Sequence, residues 1–237
     1  MCLGLTGKIA RFSKKPNSAR AATAKASKTT AACGTRLGAT LRVLKRVPQG
    51  GGLGGGSSDA ATTLLALNQL WNCGVTTPDL AALGLPLGAD VPVFIRGFSA
   101  WGEGIGERLT PLELPDRWYL ILHPRCAVST RQVFQSPELT RNSPLITIRG
   151  FFESGGRNDC EPVVRRLCPE VGEALDWLSR FAPARLTGTG SCVFAACESA
   201  IEAERLAARV PDRWKSAVAR GLNTSPVLEQ LRQGRGS

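Results

Sequence analysis

Histidine is nearly absent from this sequence, CxxC pairs are wholly absent, and no acidic residue stands before Asp59. With His123 as the single imidazole and no close ligand pair among the cysteines, a zinc site lacks donors. No apolar run approaches the roughly 20 residues that a membrane helix needs; the longest are short, such as Leu64 to Leu67 and Tyr119 to Leu122. The start, Met1 to Ala10, is too short and too polar for a secretory signal. These absences lead to the expectation of a cytoplasmic protein with no membrane partner. The cysteines themselves (Cys2, Cys33, Cys73, Cys126, Cys160, Cys168, Cys192 and Cys197) are scattered along the chain. Reduced thiols are therefore expected in preference to a disulfide framework, which suits short secreted chains.

The lack of acids is local, and so is the basic character. The formal net charge is +11, yet residues 1–46 hold eleven Lys/Arg and no acid, while the rest of the chain balances nineteen bases against nineteen acids. The high isoelectric point thus describes an appendage on a neutral body. Residues 1–32 show no sustained hydrophobic period and read as a disordered basic tail. A transit-peptide-like segment, a nucleic-acid-binding arm and a non-native, out-of-frame stretch are the alternatives. With Phe12 as the one aromatic there, base stacking has little to work with, so a nucleic-acid partner is not expected.

From about residue 36 the pattern changes. Ala39 to Val47 alternates apolar and polar residues over much of its length, which predicts a strand closed by Pro48. After a glycine run, Ser58 is expected to cap a helix with Asp59 in its first turn. Ala60, Leu64, Leu67 and Trp71 recur at helical spacing and predict one buried stripe, with Gly74 ending the helix. Leu85 to Gly106 reads as strand–turn–strand chemistry, Trp118 to His123 as a buried strand, and Val163 to Phe181 as a helix interrupted near Pro169. Arg185 to Ala196 reads as strand, glycine turn, strand; Ser199 to Arg209 as a helix; and the closing GLNTSPVLEQLRQ as a last strand with a frayed tail. Helices and strands mix without regular alternation, so the expected class is α+β.

The densest chemical signal is Pro48-Gln49-Gly50-Gly51-Gly52-Leu53-Gly54-Gly55-Gly56-Ser57-Ser58. Glycines without Cβ atoms let successive backbone N–H groups converge on an anion. The helix that follows adds unpaired N–H groups and the positive end of its dipole. The hydroxyls of Ser57 and Ser58 can donate to phosphate oxygens. A Walker A loop would need Gly-Lys-Ser/Thr, and no lysine stands here. A dinucleotide fingerprint can be traced through Gly50, Gly52 and Gly55, but the first acid at a suitable distance, Asp79, sits beside Pro78 and does not end a second strand. A flexible linker is the bland alternative; it would not sit between a strand and an amphipathic helix.

PQGGGLGGGSSDAA resembles the ATP-binding motif of the GHMP kinases, a family of small-molecule kinases. LGADVPVFIRG (Leu87 to Gly97), GEGIGERLTPLELP (Gly102 to Pro115), RLTGTGSCVF (Arg185 to Phe194) and GLNTSPV agree with that family in order and spacing, over roughly residues 36–228. The details are most similar to the branch that acts in isoprenoid precursor synthesis on a cytidine-diphosphate-linked alcohol. The resemblance implies a two-lobed α+β kinase, with residues 36–115 as the ATP-binding lobe, 116–230 as the C-terminal lobe, and 1–35 as the basic, disordered or non-native segment. ATP with Mg²⁺ and a cytidine-diphosphate-linked substrate are the implied ligands. Homoserine, mevalonate or a sugar would be the acceptors of other members.

Carried over residue by residue, the family's catalytic base falls on Asp90, whose bland alternative is a turn aspartate after Gly88-Ala89. Lys45 matches a lysine near the nucleotide; a solvated strand-end charge is the competing reading. Gly188, Thr189 and Gly190 of LTGTG match the motif that supports the phosphate loop, and also suit a plain β-turn. Thr130 matches a position near the substrate. The family's first-strand lysine motif and the Asp-Gly-Tyr-His segment that follows it are not found within residues 1–35. An aberrant N-terminus and weak or absent turnover, leaving a nucleotide-binding remnant, are the corresponding expectations.

Overall fold

The computed structural model describes residues 12–13 and 34–233. In chain order the elements are β1 (Phe12–Ser13), β2 (Thr40–Leu41), α1 (Gly55–Leu70), α2 (Thr77–Gly84), a 3₁₀ turn (Leu85–Leu87) and α3 (Val91–Arg96). The hairpin β3 (Ala100–Glu103) and β4 (Arg108–Pro111) follows, then β5 (Trp118–His123), α4 (Thr130–Gln135), α5 (Ile148–Ser154), α6 (Glu161–Leu167) and α7 (Pro169–Ser179). The series closes with β6 (Ala184–Leu186), β7 (Val193–Cys197), α8 (Ala200–Ala207), β8 (Lys215–Arg220) and α9 (Pro226–Gln233). The α+β class holds. The described chain divides into two units.

The first unit comprises Pro48–Leu53 and Pro115–Gly221. Its sheet has the order β6-β7-β5-β8, and every neighbouring pair is antiparallel. β5 is central and reads WYLILH; Tyr119 to Leu122 are all buried, as expected of a strand covered on both faces. Pro169 begins α7 after a break at Cys168, because proline suits a helix's first turn and not its interior. Val171, Ala174, Leu175 and Leu178 carry α7 into a core with Leu120, Leu122, Val193 and Ala195. Ser199 caps α8 by accepting from the Glu202 N–H at 3.1 Å.

The second unit contains Gly54–Leu114 and residues 222–233. Its core joins Ala60, Ala61 and Leu64 of α1 to Leu80 and Ala81 of α2 and Val91 and Ile95 of α3. The stripe read from the sequence is real: Ala60, Leu64, Leu67 and Trp71 are all buried. Full burial of Leu64 and Leu67 contributes about 1.5–3 kcal/mol each.

Several expectations need correction. α1 starts at Gly55 with Gly54 as its cap, earlier than the predicted Ser58 start, because Gly54 takes a left-handed conformation that turns the chain into the helix (φ 66°). Of Ala39 to Val47, only Thr40–Leu41 is strand, paired antiparallel with Phe12–Ser13; a strand needs a partner along its length, and alternation alone does not supply one. Val91–Arg96 is helical: Pro92 lies in the first turn and Gly97 closes it. The closing segment forms α9, with Thr224 making only an isolated bridge to Phe98. Cys126 and Cys168, expected to be separate thiols, are joined as a disulfide. Their separation of 42 residues hid a meeting between the loop after β5 and the α6–α7 junction. The readings placed on residues 1–35 lie outside the described residues, apart from Phe12–Ser13 and Gly34–Thr35. Among the described residues no helix is long and apolar enough to cross a membrane.

Candidate functional site

In the first unit the glycine run is seated on the turn between β6 and β7. The Thr187 hydroxyl donates to the Gly51 carbonyl at 2.7 Å. The Ser191 and Cys192 N–H groups donate to the Gly50 and Gly51 carbonyls at 3.0 and 3.1 Å. Gly52 has φ +71°, and a Cβ there would stand 2.1 Å from the Thr187 carbonyl oxygen. Only glycine fits that approach. The carbonyls of Gly50 and Gly51 are thus turned toward the protein, and they fix the local path of the loop.

The supporting turn is itself held from two sides. Asn158 donates through Nδ2 to the Leu186 and Gly188 carbonyls at 3.2 and 2.7 Å. The Thr130 and Thr189 hydroxyls share a hydrogen bond at 2.9 Å, and buried Gly190 bonds back through its N–H to the Thr187 carbonyl at 2.7 Å. The Ser191 hydroxyl donates to the Cys126 carbonyl at 2.7 Å. The Cys192 thiol lies against Gly51, where burial pushes its pKa up to about 12. It is a packing group with no thiolate character at neutral pH.

In the second unit, Gly54, Gly55, Gly56, Ser57 and Ser58 form the cap and first turn of α1. The Ser58 N–H bonds the Gly54 carbonyl at 2.8 Å, so the N–H groups of Gly55, Gly56 and Ser57 precede the intrahelical ladder. Among the described residues these are the unpaired donors of a helix start, with the dipole's positive end behind them. Asp90 caps α3 from outside that turn. Its Oδ2 lies 4.0 Å from where a Cβ on Gly54 would be, and the Phe94 ring stands 3.0 Å from the same point. Among the described residues the Asp90 carboxylate makes no hydrogen bond or ion pair, and it is half-buried. Gly88 backs onto the Ser57 hydroxyl, at 3.3 Å from its Oγ to a Cβ position. Lys45 forms an ion pair with Asp59 on α1.

The sequence-derived residues therefore form two groups. Gly50, Gly51, Gly52 and Leu53 are brought together with Gly188, Thr189, Gly190 and Thr130. Gly54 to Ser58 are brought together with Asp90, and Lys45 reaches the same helix through Asp59. Pro48 and Gln49 lead into the loop, with Gln49 exposed. Thr187, Ser191 and Asn158 were not singled out from the sequence. Thr187 and Ser191 flank the glycines of the second motif, which was the available signal; Asn158 is 30 residues from its Gly188 partner and carried none. Among the described residues one group has metal-capable atoms within 4.8 Å of one another: Cys126, Cys168 and Glu170.

Comparison with known proteins places these features in context. A family model described as GHMP kinases N terminal domain matches residues 17–98, and one described as GHMP kinases C terminal matches residues 140–216. The 4-diphosphocytidyl-2-C-methyl-D-erythritol kinase of Chromohalobacter salexigens is 56% identical over 206 residues, covering 84% of this chain and 69% of the relative. The protein of the same name from Nitrosococcus oceani is 57% identical over 194 residues, covering 82% of this chain and 69% of the relative. Among solved structures, a 4-(cytidine 5'-diphospho)-2C-methyl-D-erythritol kinase matches with a TM-score of 0.70 at 34% identity, over 85% of this chain and 78% of that one. A homoserine kinase from Cytophaga hutchinsonii, 18% identical, matches with a TM-score of 0.63 over 85% of this chain and 75% of that one; it shares the fold alone.

Proposed function

The chain belongs to the GHMP kinases, and we propose that it transfers the γ-phosphoryl group of ATP to the 2-hydroxyl of 4-diphosphocytidyl-2-C-methyl-D-erythritol. The observation that carries the chemistry is the Asp90 carboxylate beside Gly54, at the head of the helix that ends the glycine run. The substrate is supported by relatives of that name at 56% and 57% identity over most of this chain.

The roles follow from the donors present. The N–H groups of Gly55, Gly56 and Ser57, with the Ser57 and Ser58 hydroxyls, receive phosphate oxygens. Within the first unit, Thr187 and the Gly188-Thr189-Gly190 turn hold Gly51 and Gly52 in place. Asp90 accepts the proton of the 2-hydroxyl as that oxygen bonds to the γ-phosphorus and the bond to the β-phosphate oxygen breaks, releasing ADP. Among the described residues no partner holds the Asp90 carboxylate, which leaves it available to that proton. Lys45, ion-paired with Asp59, lies on the flank of α1 and is assigned to the nucleotide; Thr130, tied to Thr189, is assigned to the substrate. Mg²⁺ fits this donor set: it is a hard cation that takes phosphate oxygens and water with one or two protein oxygens, which the Ser57 and Ser58 hydroxyls would supply. When bound with ATP it neutralises phosphate charge.

The test is ATP-dependent phosphorylation of that substrate by the purified chain, beside homoserine, mevalonate and a sugar as acceptors. Turnover of the cytidine substrate that Asp90→Asn abolishes supports the reading. Preferential turnover of another acceptor overturns the substrate, and a folded chain that binds ATP without any transfer overturns the activity.

A further inference from the structure

We infer that Cys126 and Cys168 form a redox-reversible latch that sets the stiffness of the turn on which the glycine loop is seated. The two ends of the latch differ. Cys168 is buried at the junction of α6 and α7, where its N–H bonds the Val164 carbonyl at 2.8 Å and its carbonyl accepts from Val171 at 2.9 Å. It is an anchor fixed by two helices. Cys126 is only half-buried and sits in the loop after β5, held by no element of its own, just after Arg125 in a left-handed conformation (φ 61°). Joining the sulfurs fastens a loop to an anchor.

That loop continues into the supporting turn. The Cys126 carbonyl accepts from the buried Ser191 hydroxyl at 2.7 Å, and the Ser191 N–H donates to the Gly50 carbonyl at 3.0 Å. Four residues after Cys126, Thr130 shares its hydroxyl hydrogen bond with Thr189 at 2.9 Å. A displaced Cys126 therefore disturbs the turn at two points, and one of them touches the glycine run directly. All these groups lie in one unit.

The bond can form by ordinary exchange with a low-molecular-weight disulfide. The more accessible Cys126 thiolate attacks one sulfur of that oxidant, expels one thiolate and forms a mixed disulfide. The Cys168 thiolate then attacks the Cys126 sulfur and expels the second. Two protein thiols lose two electrons and two protons, and the oxidant leaves as two thiols. In the dithiol form the Cys168 thiol can donate to the Glu170 carboxylate, whose Oε2 is 3.4 Å away. A metal is the competing occupant of these ligands, but a structural zinc site takes four donors and this group offers three, one of them an exposed carboxylate.

The test uses the full chain, incubated with reduced and with oxidised glutathione. The linkage is mapped by mass spectrometry of peptides under non-reducing conditions, and amide hydrogen exchange is followed at Ser191 and Cys192. We expect a Cys126–Cys168 linkage that forms with oxidised glutathione and is reversed by the reduced form. Exchange at Ser191 and Cys192 is expected to quicken by about fivefold or more on reduction, a local opening being read directly as a rate ratio. Cys126→Ser and Cys168→Ser should each show the faster exchange in both buffers. Neither readout depends on ATP or on kinase activity. No linkage, a linkage without change in exchange, or stoichiometric zinc binding that blocks both thiols in the reduced chain would each overturn the inference.

Discussion

The buried hydroxyl of Thr187 donates to the Gly51 carbonyl at 2.7 Å, between residues 136 positions apart in the sequence. The carbonyl of the same threonine fills the space beside Gly52 where any side chain would begin. One residue thus fixes two successive glycines, the first by a hydrogen bond and the second by exclusion. A glycine run has high conformational entropy when free, so its usefulness for anion binding depends on such fixing.

Thr187→Val keeps the shape and removes the donor, leaving the Gly51 carbonyl with the Cys192 N–H as its one donor among the described residues. A loss of about 1 kcal/mol in unfolding free energy is expected, read as a lower urea midpoint at unchanged slope. The ATP dissociation constant should rise several-fold, measured by titration calorimetry. Thr187→Ser, which keeps the hydroxyl, should restore most of both.

Gly50 and Gly52 separate backbone handedness from crowding. Both have positive φ, at +70° and +71°, but a Cβ on Gly50 meets nothing within 4 Å while one on Gly52 meets backbone at 2.1 Å. Gly50→Ala is expected to cost about 1–2 kcal/mol, the left-handed penalty alone. Gly52→Ala adds about 1–3 kcal/mol for displacing packed backbone. Chemical denaturation of the two variants side by side gives the difference directly. ATP binding should survive in the first and be lost at millimolar ATP in the second.

Asp90→Asn removes a carboxylate that has no partner among the described residues. Turnover should fall by about 10²–10⁴, the range for a proton acceptor in the transition state. Stability should stay within about 0.5 kcal/mol of the parent, and ATP affinity should be unchanged. A matching loss of ATP affinity would assign Asp90 to binding instead.

What could be read from the sequence was what depends on short spacing. The burial of Ala60, Leu64, Leu67 and Trp71 follows from helical periodicity, and the β5 strand follows from a compact apolar run ending at Pro124. The glycine run is legible because positions such as Gly52, with positive φ and backbone at 2.1 Å from a Cβ, admit no other residue type. Val91–Arg96 is a helix where a strand is expected, because a short apolar segment has no periodicity to distinguish the two, and Pro92 favours the first helical turn as readily as an edge strand. The predicted strand through Ala39 to Val47 shrank to Thr40–Leu41 because pairing is a long-range property. The braces on the supporting turn were invisible for the same reason. Nothing near Asn158 announces that it will hold Gly188, and nothing near Cys126 announces Cys168.

His123, the last residue of β5, gives a prediction for pH. Its Nδ1 is buried with no hydrogen-bond partner among the described residues. Burial, followed by the positive charges of Lys215 and Arg125, holds its pKa below the usual imidazole value. The unfolded chain, at about 6.5, therefore binds this proton at a higher pH than the folded chain does. Stability from a neutral, half-buried His123 is complete above the unfolded pKa and is lost as pH falls through the folded one. The urea midpoint should accordingly decline as pH falls below about 6.5, the unfolded value, and His123→Gln should flatten that decline while leaving the carboxylate-driven loss at lower pH. An equal decline in both proteins would mean that His123 takes up its proton in the folded chain as readily as in the unfolded one. The two nearby cations, Lys215 across the strand pair and Arg125 in the loop, oppose that charge for the same electrostatic reason.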